Sequence, residues 1–173
     1  MSRNRAKSHK KYQQLIILCL IAGLSVISIT CYRCSVPPNS ARLKVATPYF
    51  YDDTPPGSYD FTLYSPNPYN DYVSVPAPCS GHIGETGYEK GGYGHYLTLL
   101  CGHENWFMAH FDSVSVSIGS SITKGNYIAR QGSSGNATGP HIHAEILHSN
   151  GQRIENRSRT ESIVRKYLSY VES

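Results

Sequence analysis

The stretch Gly132–Ile146, GSSGNATGPHIHAEI, constrains this chain more than any other. Gly132, Gly135, Gly139 and Pro140 make a run too poor in side chains to pack and too broken for a helix, so a tight loop is expected that delivers the chain into a strand. In that strand His141 and His143 are two residues apart, and alternation across the sheet puts both imidazoles on one face, with Ile142 and Ala144 on the other. Two imidazoles a few ångströms apart on a rigid face suit a metal or a proton-transfer pair, and the small residues before them leave room for a ligand. The same pattern is also compatible with a surface strand that carries two histidines by chance.

The rest of the chain favours strands and turns. Charged residues make up only 16%, whereas Tyr (14), Gly (15) and Pro (10) are frequent, and 173 residues suffice for one domain with a real core. Strands are expected in quick succession from Tyr72. VSVPAPCSGHI and HYLTLLCGH flank a glycine-rich turn, WFMAHF follows, and Val114–Ile128 reads as two short strands joined by turns at Gly119 and Gly125. Only Thr160–Val171 has a helical period, with Ile163, Val164, Tyr167, Leu168 and Val171 on one side. The expected order is therefore a basic and apolar N-terminal segment (1–34), a linker (35–47), a β domain (48–158) and a C-terminal helix (159–173).

The net charge of +4 is concentrated at one end. Arg3, Arg5, Lys7, Lys10 and Lys11 precede an uncharged run of 17 residues, Leu15–Cys31, and leave 11 basic against 12 acidic groups in the remainder. That balance argues against a nucleic-acid partner, which needs a basic stripe. The basic cluster and apolar run have the pattern of a membrane anchor or signal segment, here read as an uncleaved anchor in the inner membrane with the domain outside the cytoplasm; a cleaved signal peptide and a secreted or periplasmic domain are the alternative. Cys79 and Cys101 are the only cysteines beyond that region. A hairpin turning near Lys90 would set them opposite each other, either as a disulfide of an oxidising compartment or as two buried thiols.

Taken in order, V-x-A-P-x-x-G (Val75–Gly81), GGYGHYLTL (Gly91–Leu99), A-H-F (Ala109–Phe111), V-x-x-G (Val116–Gly119), I-x-x-G (Ile122–Gly125) and SSGNATGPHIHAE resemble the lysostaphin-type, or LytM-type, zinc endopeptidases over roughly residues 57–150. The resemblance implies a mostly β fold, an antiparallel sheet with a groove, preceded here by a hydrophobic N-terminal helix and followed by a short C-terminal one. It also implies zinc, peptide-bond cleavage in peptidoglycan, and roles for individual residues. His143 and Asp60 correspond to zinc ligands, and His141 and His110 to the histidines that assist the reaction. Pro56 stands four residues before Asp60, where the family has its remaining ligand histidine, and cannot bind a metal. Met108 and Ala144 replace usual aromatic residues, and the interval from Asp60 to Val75 is longer than usual. Asp52 or Asp53 could fold back as a substitute ligand, or could simply belong to a solvated turn. Two functions follow from the resemblance: a zinc endopeptidase of the cell wall, or a noncatalytic relative that binds peptidoglycan or regulates another cell-wall hydrolase.

Overall fold

In a computed structural model the described residues are 44–45, 56–65 and 72–173. The apolar segment at 15–31, Asp52 and Asp53 lie outside them. Among the described residues no helix is long and apolar enough to cross a membrane.

Eleven strands and one helix are described in chain order. They are β1 (Lys44–Val45), β2 (Ser58–Phe61), β3 (Leu63–Tyr64), β4 (Ser74–Pro76), β5 (Gly81–Glu89), β6 (Gly94–Leu100), β7 (Asn105–Phe111), β8 (Ser113–Val114), β9 (Ser121–Ile122), β10 (Tyr127–Arg130), β11 (Ile142–Leu147) and α1 (Arg157–Glu172). The main sheet has six strands in the order β2-β11-β7-β6-β5-β9; a three-stranded sheet runs β4-β10-β8, and β1 pairs with β3. Every pairing is antiparallel. The expected mostly β architecture is thus present, although Lys44–Val45, assigned to the linker from sequence, already pairs with Leu63–Tyr64.

The β5–β6 hairpin turns at Lys90–Tyr93, where the sequence reads EKGGYG and Gly91 and Gly94 have φ of 75° and 61°. Left-handed backbone at these points is inexpensive only for glycine. Cys79 and Cys101, just outside the paired strands, form a disulfide with Cα atoms 6.0 Å apart, which resolves the choice the sequence left open.

One face of the main sheet supplies the core. Tyr59 and Phe61 of β2, Leu97 and Leu99 of β6, Trp106 and Met108 of β7, and Ile142, Ala144 and Ile146 of β11 are all buried. Helix α1 closes this core with Val164, Tyr167 and Leu168, and the Tyr167 ring meets Phe61 and Trp106 edge-on at 5.9 and 5.4 Å. Its hydroxyl, which burial would leave costly if unpaired, donates to the Pro76 carbonyl at 2.7 Å. The helix begins at Arg157, earlier than its apolar period suggests, because the Asn156 side chain caps it by accepting from the Arg159 amide.

Candidate active site

With that core face filled by apolar side chains, alternation leaves His143 and Glu145 of β11 on the opposite face. Register decides what they meet. His143 stands opposite Asp60 of β2 on one side and Ala109 of β7 on the other. His143 Nδ1 donates to Asp60 Oδ1 at 2.7 Å, joining positions 83 residues apart in sequence.

His110 reaches the same place by a local exception. The face shared with His143 belongs to Ala109, so a regular strand would turn His110 towards the core. Instead His110 adopts φ of 63°, the only left-handed non-glycine residue among those described, beside a register shift in the β6–β7 pairing. Such a conformation costs on the order of 1 kcal/mol or more and needs surrounding bonds to hold it. They are present. The His110 amide donates to the Tyr93 carbonyl at 2.9 Å, and its Nδ1–H donates to the Ser134 carbonyl at 2.9 Å. The imidazole consequently lies 4.8 Å from that of His141 and 5.9 Å from that of His143, centroid to centroid.

Two carbonyls settle which nitrogens face the site. A carbonyl only accepts, so His110 carries its proton on Nδ1 against Ser134, and His141 carries one on Nδ1 against Gly139 at 2.8 Å. Nε2 is the free nitrogen of each ring, and that of His141 is 3.9 Å from Asp60 Oδ2. Burial holds the His110 pKa below the usual histidine value; the Ser134 carbonyl offsets this in part, and the neighbouring His141 and His143 reinforce it.

His143 is in a different state. Its Nε2 faces Glu145 Oε1 at 3.2 Å while Nδ1 faces Asp60, so both nitrogens meet carboxylates. Burial acts to lower its pKa, but hydrogen bonds to Asp60 and Glu145 and their charges outweigh it and raise the value to about 9. Glu145 is in turn held by Tyr93, whose hydroxyl donates at 3.0 Å, and by Arg153 Nη1 at 2.9 Å. Burial works against its charged form, yet bonding to His143 and the charge of Arg153 leave its pKa below the ordinary glutamate value.

This raised value predicts a pH dependence of the metal-free protein. A folded pKa of about 9 against an unfolded value of roughly 6.5 means the stabilisation is complete below pH 6.5 and is lost as pH rises through 9. The integrated effect is about 3 kcal/mol. Urea unfolding in the presence of a chelator should therefore show a steady fall from pH 6.5 to 9.5, and a level profile would contradict the imidazolium assignment.

Asp60 and His143 have the donor chemistry of a zinc site, but a zinc at roughly 2.0–2.1 Å from each with tetrahedral angles would set the donors roughly 3.3 Å apart. The pair would open by about 0.6 Å and lose the Nδ1 proton. A third donor is needed as well. Among the described residues no three His, Cys, Asp or Glu side chains gather closely enough to hold a metal ion, and Pro56 is exposed four residues before Asp60. The described residues therefore supply two donors of a site that requires three.

Sequence reasoning named Asp60, His110, His141 and His143, and these four come together. Asp53, the proposed substitute ligand, lies outside the described residues. Glu145, Tyr93 and Arg153 were missed, although Glu145 had a signal: it is two residues beyond His143 and must share its face. His82, His103 and His148 stand exposed on the surface.

An antiparallel sheet thus gathers an aspartate and three histidines into one cluster. The profile of Peptidase family M23 matches residues 67–156, and the chain belongs to that family. An uncharacterized metalloprotease of Haemophilus influenzae is 37% identical over 81 residues, which are 46% of this chain; the chain spans only 17% of that protein's length. Among solved structures, lysostaphin, the antimicrobial peptidase of Staphylococcus simulans, superposes with a TM-score of 0.54 at 24% identity, covering 70% of this chain and 50% of the other. A mutant catalytic domain of the prophage-encoded M23 protein EnpA from Enterococcus faecalis gives 0.53 at 21% identity, covering 71% and 95%. At these identities the two structures speak for the fold, which is lysostaphin-like.

Proposed function

We propose that the protein is a zinc-dependent endopeptidase that cleaves peptide bonds in the stem peptides or cross-bridges of peptidoglycan. The observation that carries this reading is the meeting of Asp60 of β2, His110 of β7, His143 of β11 and His141, the bridged residue just before β11, in one place. Incidental histidines would have no reason to converge, and still less to be held there by a strained backbone at His110.

Asp60 and His143 would hold the ion, with Asp52 or Asp53 as the third ligand. When bound, zinc polarises a scissile carbonyl and lowers the pKa of a water. The chain's own contribution is proton handling. His110, kept unprotonated near neutrality by burial, and His141 each present a free Nε2 that can accept a proton from the attacking water and later return it to the leaving amine. Orientation by the Ser134 and Gly139 carbonyls removes the need to select a tautomer during the reaction. Each role is worth on the order of a hundredfold or more.

The reading places the domain outside the cytoplasm, held at the inner membrane by residues 15–31 or released if that segment is cleaved. The Cys79–Cys101 disulfide supports an oxidising compartment. A second reading, a noncatalytic domain that binds peptidoglycan or regulates another cell-wall hydrolase, is favoured by two observations: His143 is already engaged by two carboxylates, and Pro56 offers no donor. Zinc content separates the two. The purified protein should retain about one zinc per chain after dialysis, and Asp53→Ala should lose it. Full occupancy in the Asp53→Ala protein would refute Asp53 as the substitute ligand, whereas a wild-type protein without zinc would leave the noncatalytic reading standing.

A further inference from the structure

Beside the histidine cluster, a cavity of about 630 Å³ is lined by Tyr72, Tyr88, His95, Asp112, Ser133 and Ser134. It is distinct from the groove face. His95 of β6 is opposite Phe111, whose side chain belongs to the core, and opposite Tyr88 of β5, so these residues share the core side of the sheet at its open end. Arg130 of the three-stranded sheet reaches the same region, where its Nε donates to the Tyr72 carbonyl at 3.0 Å.

The lining restricts what can bind. Tyr88 is 57% exposed and Tyr72 40%, so two aromatic rings present apolar surface to solvent, and the Tyr88 ring is backed by His95 at 4.6 Å. Asp112 and Arg130 form an ion pair at 3.7 Å, and the guanidinium also lies 5.6 Å from the centre of the Tyr72 ring. Their charges cancel, which removes the basis for selecting either an anion or a cation, while leaving acceptors and donors at the rim. Exposed aromatic faces next to a neutral set of hydrogen-bonding groups suit a ligand with one apolar face and many hydroxyls.

We propose that this cavity binds a saccharide, the glycan part of the same polymer, with one N-acetylhexosamine ring stacked on Tyr88 and its hydroxyl groups on Asp112 and Arg130. The inference rests on the peptidoglycan reading for its choice of sugar, and the position of the cavity agrees with it. Ser134 lines the cavity with its side chain's neighbourhood and, through its carbonyl, holds the Nδ1–H of His110. A sugar bound there is one loop residue away from the histidines, a separation that fits a substrate in which peptide is attached to glycan.

Calorimetric titration of the full chain with the N-acetylglucosamine tetramer tests this. Saturable binding is expected, with Tyr88→Ala and Tyr72→Ala each weakening it at least tenfold; both side chains are exposed enough for the variants to fold. On the peptidase reading, Tyr88→Ala should also raise KM for a sugar-bearing muropeptide while leaving cleavage of the sugar-free peptide unchanged. Absence of binding by the tetramer, binding that Tyr88→Ala does not weaken, or an equal loss of sugar-free peptide cleavage in that variant would each overturn the proposal. Tyr88-dependent tetramer binding by a protein that cleaves nothing would uphold the cavity and defeat the peptidase reading alone.

Discussion

Replacing His143 by alanine is expected to destabilise the metal-free domain by about 3 kcal/mol or more, a large share of the stability of a domain this size. His143 is 5% exposed and lies between two carboxylates that are themselves almost buried, Asp60 at 8% and Glu145 at 6%. Removing it leaves Glu145 with Arg153 and Tyr93, but leaves Asp60, among the described residues, with only the distant Nε2 of His141. The penalty is thus expected to come mainly from an uncompensated Asp60, and Asp60→Asn in the same background should recover part of it. Urea unfolding of the two variants at pH 7 provides the check, and a His143→Ala protein as stable as wild type would show that the carboxylates do not depend on it.

Loss of the Cys79–Cys101 disulfide is expected to have an effect of the same order. The bond closes a loop of 22 residues in sequence separation, for which the chain-entropy account gives about 3 kcal/mol. The loop contains the whole β5–β6 hairpin, whose second strand is central to the main sheet. A Cys79→Ala, Cys101→Ala protein should melt on the order of 10 °C lower than the oxidised wild type. Because both cysteines pack against the core at the end of the sheet away from His110, the histidine cluster should retain its geometry. A melting temperature unchanged by the double substitution would contradict this view of what secures the hairpin.

Much of the architecture was legible because the relevant signals are local and periodic. The hairpin centred near Lys90 follows from two apolar runs around EKGGYG, and the face shared by His141 and His143 follows from their spacing. The position of Asp60 beside His143 was accessible only through the family resemblance, since strand register between residues 83 apart depends on the whole sheet. His110 shows the limit of periodicity most clearly. Alternation along β7 assigns it to the core, and its place in the site depends on a left-handed backbone fixed by Tyr93 and Ser134, neither of which is near it in sequence. Arg153 was invisible for a similar reason, being returned to Glu145 by the bridge between Leu147 and Arg153. His95 carries no signal in the sequence, and its contact with Tyr88 gives it a part only when the cavity is seen.

The contrast between His143 and its neighbours also bears on how the site would work. His110 and His141 have backbone carbonyls as partners, so their orientation does not depend on charge. His143 has carboxylates, so its protonation is tied to theirs, and any ion bound with Asp60 must compete with a proton held up to about pH 9. Metal affinity is therefore expected to rise with pH through the neutral range.

Digestion of purified peptidoglycan peptides by the zinc-supplied protein tests the central claim most directly. The account predicts new peptide amino termini in the wild-type digest and a loss of on the order of a hundredfold or more in His141→Ala, which removes one of the two tautomer-fixed Nε2 atoms that face the site. A wild-type protein that carries zinc and yet releases no new amino terminus from these peptides would contradict it.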